Sequence, residues 1–275
     1  MNTGFDEGNR TKKKYGIFSS KGDMIGTIIV ILVFLSLLLS VFLSPNIYLI
    51  KTARWTDWNE SDRQNVTAAM GEEKTEERFR LYFQYYNVIH EMGHGLMRYN
   101  KGVDVSAADE EQLVNDFAVA YWNYYGEPEK MEELYDIVTY AVENIGYNYK
   151  NGVDYMEFAK KHSDYSRFHN DFFNFNDYGW FQFSSVKHSI EQNKTLEDVL
   201  KEMGFQNFRL TQKKVLKHTV TDEGESTAII NEAVVNFNEW GLYFPESHQS
   251  FSNNPNENVS RPSKKIMGIF TFDLF

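Results

Sequence analysis

Two histidines four residues apart, His90 and His94, constrain the local fold of this chain more tightly than any other feature. In an α-helix the side chains at i and i+4 share one face, so the two imidazoles can offer nitrogens to a single metal ion. The run before them, Glu76 to Ile89 (EERFRLYFQYYNVI), holds no Gly or Pro. Phe79, Tyr82, Phe83, Tyr86, Ile89 and Gly93 follow one another at spacings of three and four, a helical stripe. The histidines lie beside that stripe, where burial shields a bound ion. Glu91 stands next to them, and a carboxylate there can take a proton from water and return it to a leaving amine.

Catalytic zinc usually has three protein ligands and one open position, so a third donor is needed. Glu110 to Trp122 (EEQLVNDFAVAYW) reads as a second helix, with apolar residues at Leu113, Val114, Phe117, Ala120 and Tyr121. Glu111 and Asn115 are again four apart. One can reach the metal while the other hydrogen-bonds a ligand imidazole and fixes its tautomer. Glu110 is the rival ligand, but its i+4 neighbour is Val114, which can orient nothing, and this favours Glu111. Between the helices, Asn100-Lys101-Gly102 supplies a stop and Ser106 a cap.

His90-Glu91-Met92-Gly93-His94 is an HExxH motif. With Glu111 it resembles the gluzincin group of zinc metallopeptidases, whose second helix carries patterns such as E-x-x-A-[DN]-x-[FYL]-A. Glu111 to Ala118 is similar to that pattern, with Val114 in the small-residue slot. The resemblance covers His90 to about Trp122. It implies Zn²⁺ held by His90, His94 and Glu111, Glu91 as the catalytic carboxylate, and a peptide or protein substrate. Other HExxH classes fail on residues. The metzincin extension needs Gly and His where Met97 and Asn100 stand, and deformylases need a cysteine ligand where this chain has no cysteine. The competing reading is a non-catalytic binding or sensory domain whose metal is structural.

A second feature sets location. Met24 to Leu43 contains no charged residue, and about 20 helical residues rise about 30 Å, the thickness of a bilayer's hydrocarbon core. Arg10, Lys12, Lys13, Lys14 and Lys21 precede the run, while Lys51 and Arg54 alone closely follow it. The positive-inside rule then keeps the N-terminus cytoplasmic and places the remainder outside the cell membrane. The apolar core is long for a signal peptide, and Val41 to Asn46 offers no good cleavage site, which favours an uncleaved anchor.

These features predict a mainly α protein, α+β being the other option: an N-terminal transmembrane helix followed by one helical, zincin-like domain with little sheet. The expected divisions are a cytoplasmic segment 1–23, the anchor 24–43, a polar linker 44–71, a metallopeptidase-like domain 72–252 and a polar tail 253–275. Further helices are expected over Glu127–Ile145, Tyr155–Lys161, Asn176–Gln192 and Thr195–Met203, whereas Phe208–Thr211 and Ala228–Phe237 read as strand or helix. The aromatic segment Tyr165–Phe183, which also holds Trp180, reads foremost as core packing, with Tyr165, Arg167, His169 and Tyr178 as groups able to stabilise an oxyanion. His162, His188, His218 and His248 are expected at the surface. The net charge is −11, and such acidity opposes binding to nucleic acid or anionic lipid. Protease added to intact cells or spheroplasts is expected to digest the region after Ile50; its protection there overturns the proposed orientation.

Overall fold

The computed structural model describes residues 47–52, 54–145, 154–161, 175–211, 217–218, 223–251 and 269–272. All of them fall within the compact unit Pro45–Phe275, and they are mainly helical with a small sheet, as the sequence predicts. The uncharged run Met24 to Leu43 lies outside the described residues. Among those described, no helix is long and apolar enough to cross a membrane.

The sheet has the order β2-β1-β3, where β1 is Ile47–Thr52, β2 is Glu246–Phe251 and β3 is Ile269–Phe272. β1 pairs in parallel with both neighbours, Ile47 lying opposite Glu246 on one side and Ile269 on the other. Parallel strands cannot be joined by a hairpin, and the crossover from β1 to β2 carries all the described helices. Along β1 burial alternates: Tyr48, Ile50 and Thr52 point into the core while Ile47, Leu49 and Lys51 are partly exposed.

Two sequence expectations give way here. The stretch 44–71 is not a linker: it holds β1, a short 3₁₀ turn at Trp55–Asp57 and helix α1 at Glu60–Met70, and it buries Tyr48, Ile50, Trp58, Val66 and Met70. Its polar look comes from the outer face of α1, where Ser61, Gln64 and Asn65 are exposed. The tail 253–275 contributes β3, a strand of four residues too short to show an alternating pattern.

Helix α2 (Thr75–Phe79) continues through a π-helical stretch, Arg80–Tyr86, into α3 (Asn87–Tyr99). Every residue from Leu81 to Gly93 is buried, so this helix is covered all round rather than along one stripe. Helix α4 (Ala107–Tyr125) starts at Ser106, whose Oγ accepts from the Asp109 N–H at 3.2 Å, the cap anticipated from sequence. Then come α5 (Pro128–Asn144), α6 (Tyr155–Lys161), α7 (Phe175–Gln192), α8 (Leu196–Glu202) and α9 (Glu223–Glu239). Ala228–Phe237 is therefore helical, and Phe208–Thr211 is neither strand nor helix.

With no cysteine to cross-link it, the unit is held by aromatic packing between these helices. Tyr85 stacks on Trp122 at 3.8 Å between ring centroids, and Tyr82 meets Phe183 on α7 at 4.7 Å. Such pairs add about 0.5–1.5 kcal/mol each beyond the area they bury.

Two glycines let α3 come close to its neighbours. A Cβ on Gly93 would lie 3.0 Å from the Phe117 ring and 3.1 Å from Val114 Cβ on α4, and one on Gly95 would lie 2.7 Å from the Phe244 ring. Tyr48 joins the same contact, its ring 5.3 Å from Phe244 and its hydroxyl donating to the Glu91 carbonyl at 2.7 Å. Gly95→Val therefore forces Phe244 and Tyr48 apart, and overpacking of this kind costs about 1–3 kcal/mol. A lowered midpoint in urea unfolding is the expected readout; an unchanged midpoint contradicts this packing.

Candidate metal centre

α3 and α4 cross where their facing residues change from apolar to ionisable. His90, Glu91 and Glu111 are all buried at this crossing, and the His94 side chain is 11 % exposed. His90, His94 and Glu111 form a group whose ligand atoms all lie within 4.8 Å of one another. His90 Nε2 stands 3.3 Å from Glu111 Oε2, and His94 Nε2 stands 3.6 Å from Glu111 Oε1. Two atoms each about 2.0–2.1 Å from a tetrahedral ion are about 3.3–3.4 Å apart. The three groups are thus already spaced as ligands of one small ion.

The other nitrogen of each ring is tied down. His90 Nδ1 lies 2.8 Å from Asn115 Oδ1, which also accepts from Tyr86 Oη at 2.9 Å. An amide oxygen only accepts, so the His90 proton belongs on Nδ1 and Nε2 keeps its lone pair. His94 Nδ1 lies 2.7 Å from Glu110 Oε1, and this carboxylate keeps a proton on Nδ1, so that the proton an ion displaces is the one on Nε2. Glu110, a rival ligand by sequence, is therefore the partner of His94. Glu111 faces the imidazole Nε2 atoms and Asn115 orients one ring, the division of labour that their four-residue spacing suggests. What sequence reasoning missed is that adjacent residues on α4, about 100° apart around the helix, can both serve the site.

Glu91 faces the same centre. Its Oε1 accepts from Asn87 Nδ2 at 3.3 Å, one turn back on α3. Burial pushes the Glu91 carboxyl above the ordinary carboxylate value; the two histidines oppose this and Glu111 adds to it. Burial alone would lower His94, but the Glu111 and Glu110 carboxylates outweigh it and hold this imidazole well above its usual value. Burial likewise acts to raise Glu111, and His94 and His90 overcome it, holding that carboxyl well below its usual range.

The run before the ligands departs from an α-helix. The Asn87 N–H donates to Tyr82 O, five residues back, the bond of a π-turn, a distortion found often at functional sites. It sets Tyr86 against Asn115 one turn ahead of His90. No sequence signal marked it.

Tyr165, Arg167 and His169 lie outside the described residues, as does the side chain of Tyr178. Trp180 is buried, its ring edge-on to Phe158 at 5.9 Å, so it is core. His162 is outside the described residues, and His188 and His248 are exposed as expected. His218 is not: it is buried, with Nε2 3.0 Å from Glu232 Oε2 on α9 and its ring edge-on to Trp122. The Glu232 carboxylate, 14 residues on, allows that burial, which the residues next to His218 could not show.

No family model, curated protein or solved structure matches this chain.

The residues fit a divalent ion of the zinc type: two imidazole nitrogens and a carboxylate, the set that suits zinc, with their outer partners in place. Because His94 holds its proton tightly in the metal-free protein, an ion must displace it. Zinc binding is expected near one equivalent, with release of about one proton and an affinity that rises about tenfold per pH unit until His94 deprotonates on its own. Calorimetry in buffers of different ionisation enthalpy checks this. An affinity flat across neutral pH contradicts it.

Proposed function

We propose that this protein is a membrane-anchored zinc metallopeptidase of gluzincin type, hydrolysing peptide bonds by general acid–base catalysis through Glu91. The observation that carries this reading is the convergence of His90 Nε2, His94 Nε2 and the Glu111 carboxylate, with Glu91 buried beside them. His90, His94 and Glu111 would hold Zn²⁺, which supplies a Lewis acid for the scissile carbonyl and makes water at the site more acidic.

The chain's own residues do the rest. Glu91 takes a proton on its carboxylate from the attacking water and delivers it to the leaving amine. A carboxyl whose proton affinity is raised by burial is better matched to both steps than an ordinary surface glutamate. Asn87 Nδ2 bonds one Glu91 oxygen and leaves the other for the proton. Asn115 and Glu110 keep both imidazoles in the tautomer that presents Nε2. Gly93 and Gly95 permit the packing that excludes water from behind the site.

The alternative is a binding or sensory domain with a structural metal. Structural zinc sites close all four positions with protein ligands, whereas among the described residues the group holds three. A structural site also has no use for a buried carboxylate beside its ligands, and keeping Glu91 there opposes the packing of an otherwise aromatic core. Both points favour catalysis.

The anchor belongs to the same proposal. Met24–Leu43 spans the cell membrane with the N-terminus in the cytoplasm, which puts the catalytic domain outside, facing exported or surface polypeptides. β1 begins at Ile47, so the unit bearing the site starts almost where the uncharged run ends. The domain accordingly extends beyond 72–252 to take in β1, α1 and β3.

Glu91→Gln tests the catalytic role. The substitution is expected to lower peptidase activity by at least about 100-fold, the lower range of general acid–base contributions, while zinc still binds near one equivalent. Activity within a few-fold of wild type sinks the mechanism.

A further inference from the structure

Helix α7 packs along α4 and contributes one side chain to the metal centre that no motif announces. Gln182 is buried and sits between Glu111 and Asn115. Its Nε2 donates to Glu111 Oε2 at 2.7 Å, and its Oε1 accepts from Asn115 Nδ2 at 3.0 Å. Two of the three ligands are therefore linked through it: Glu111 directly, and His90 by way of Asn115.

The direction of every bond in this chain follows from the carboxylate. Ionised Glu111 can only accept, so Gln182 must turn its amide nitrogen toward it. That leaves Gln182 Oε1 facing Asn115, which must answer with Nδ2. Asn115 Oδ1 then faces His90 and Tyr86, and His90 must donate from Nδ1. Donation runs His90 to Asn115 to Gln182 to Glu111, and the 3.3 Å gap between His90 Nε2 and Glu111 Oε2 closes the ring. A neutral amide is the group required at 182, because it supplies a donor and an acceptor at once without adding a charge to a buried site that already holds Glu91 and Glu111.

We propose that Gln182 is a positioning residue of the metal centre, fixing the Glu111 carboxylate and the Asn115 amide together and through them the polarity of the ligand set. The proposal rests on the zinc reading above and goes beyond it by assigning a residue from a third helix, distant in sequence. Gln182 touches neither substrate nor the reacting atoms.

The test uses the full chain, with zinc affinity measured by chelator competition and the visible absorption of the cobalt-substituted protein as a signature of ligand geometry. Gln182→Met keeps the length and removes both hydrogen bonds. It is expected to weaken zinc binding about 10–100-fold, the usual cost of losing a ligand's supporting partner, and to shift the cobalt bands. Ser189→Ala, two turns further along α7, deletes the bond to buried Asp116 and the one accepted from Gln112, and touches neither a ligand nor Asn115. It is expected to lower the unfolding midpoint but leave affinity and bands as in wild type. If Gln182→Met does not fold, Gln182→Leu carries the comparison: it is smaller, likewise removes both hydrogen bonds, and is expected to weaken binding in the same way. The role of Gln182 alone is overturned if wild type binds zinc and hydrolyses peptide while the Gln182 variant matches it in affinity and spectrum. It is overturned equally if Ser189→Ala weakens binding as much, since the effect is then one of packing. If wild type binds no zinc, the metallopeptidase reading falls and this proposal with it.

Discussion

Ionisable side chains held inside an aromatic core are the constraint on which the rest of this structure turns. His90, Glu91 and Glu111 are each over nine-tenths buried. An isolated buried charge is costly enough that the group would neutralise or the site would open. Here the charges offset one another: Glu111 is held ionised by the two histidines, and His94 is held protonated by Glu111 and Glu110. Without an ion the cluster is a compact salt bridge. The same spacing that makes it so makes it a ligand set, since a divalent ion can take the place of the proton between the imidazoles and Glu111.

Holding that spacing depends on backbone features at some distance from the chemistry. Gly93 lets α4 approach α3 closely enough for Glu111 to reach both rings. Tyr48, on the central strand, bonds the carbonyl of Glu91 and so links the small sheet to the turn that carries the motif. The π-helical stretch adds one residue to a turn of the same helix and places Tyr86 where its hydroxyl reaches Asn115. Strand, π-turn and helix crossing each constrain a different part of the centre. A substitution at any of them is felt at the ligands through packing rather than through direct contact.

How much of this could be read in the sequence depends on whether the determinant was local. His90, His94 and Glu91 lie within one and a half turns of one helix, and Glu111 with Asn115 on another, so period and spacing were sufficient to bring them out. The cap at Ser106 is equally local. β1 was hidden because its apolar residues continue the uncharged run before it, and α1 because its exposed face is rich in Ser, Gln and Asn. His218 was misplaced because its partner, Glu232, stands 14 residues away on α9 and meets it only once the chain has folded back. Gln182 was invisible for the same reason. An isolated glutamine in a helix has no spacing to test, and only the packing of α7 on α4 shows what it touches.

The two ligand histidines are supported by partners of different charge, and burial explains the difference. Glu110, behind His94, has a side chain 35 % exposed, so water shares the cost of its charge. Asn115, behind His90, is fully enclosed among Tyr86, Gln182 and Ser185. A carboxylate there would be a third buried acid beside Glu91 and Glu111 with no cation of its own. An amide gives the same hydrogen bond to His90 without that charge, and its second face can be held by a neutral neighbour. The closed side of the site is therefore built from amides and hydroxyls, and the open side from a carboxylate. A divalent ion bound there would face one formal negative charge among its ligands, Glu111. The Glu110 charge reaches it only through His94, and that polarises the His94 imidazole more than the His90 one.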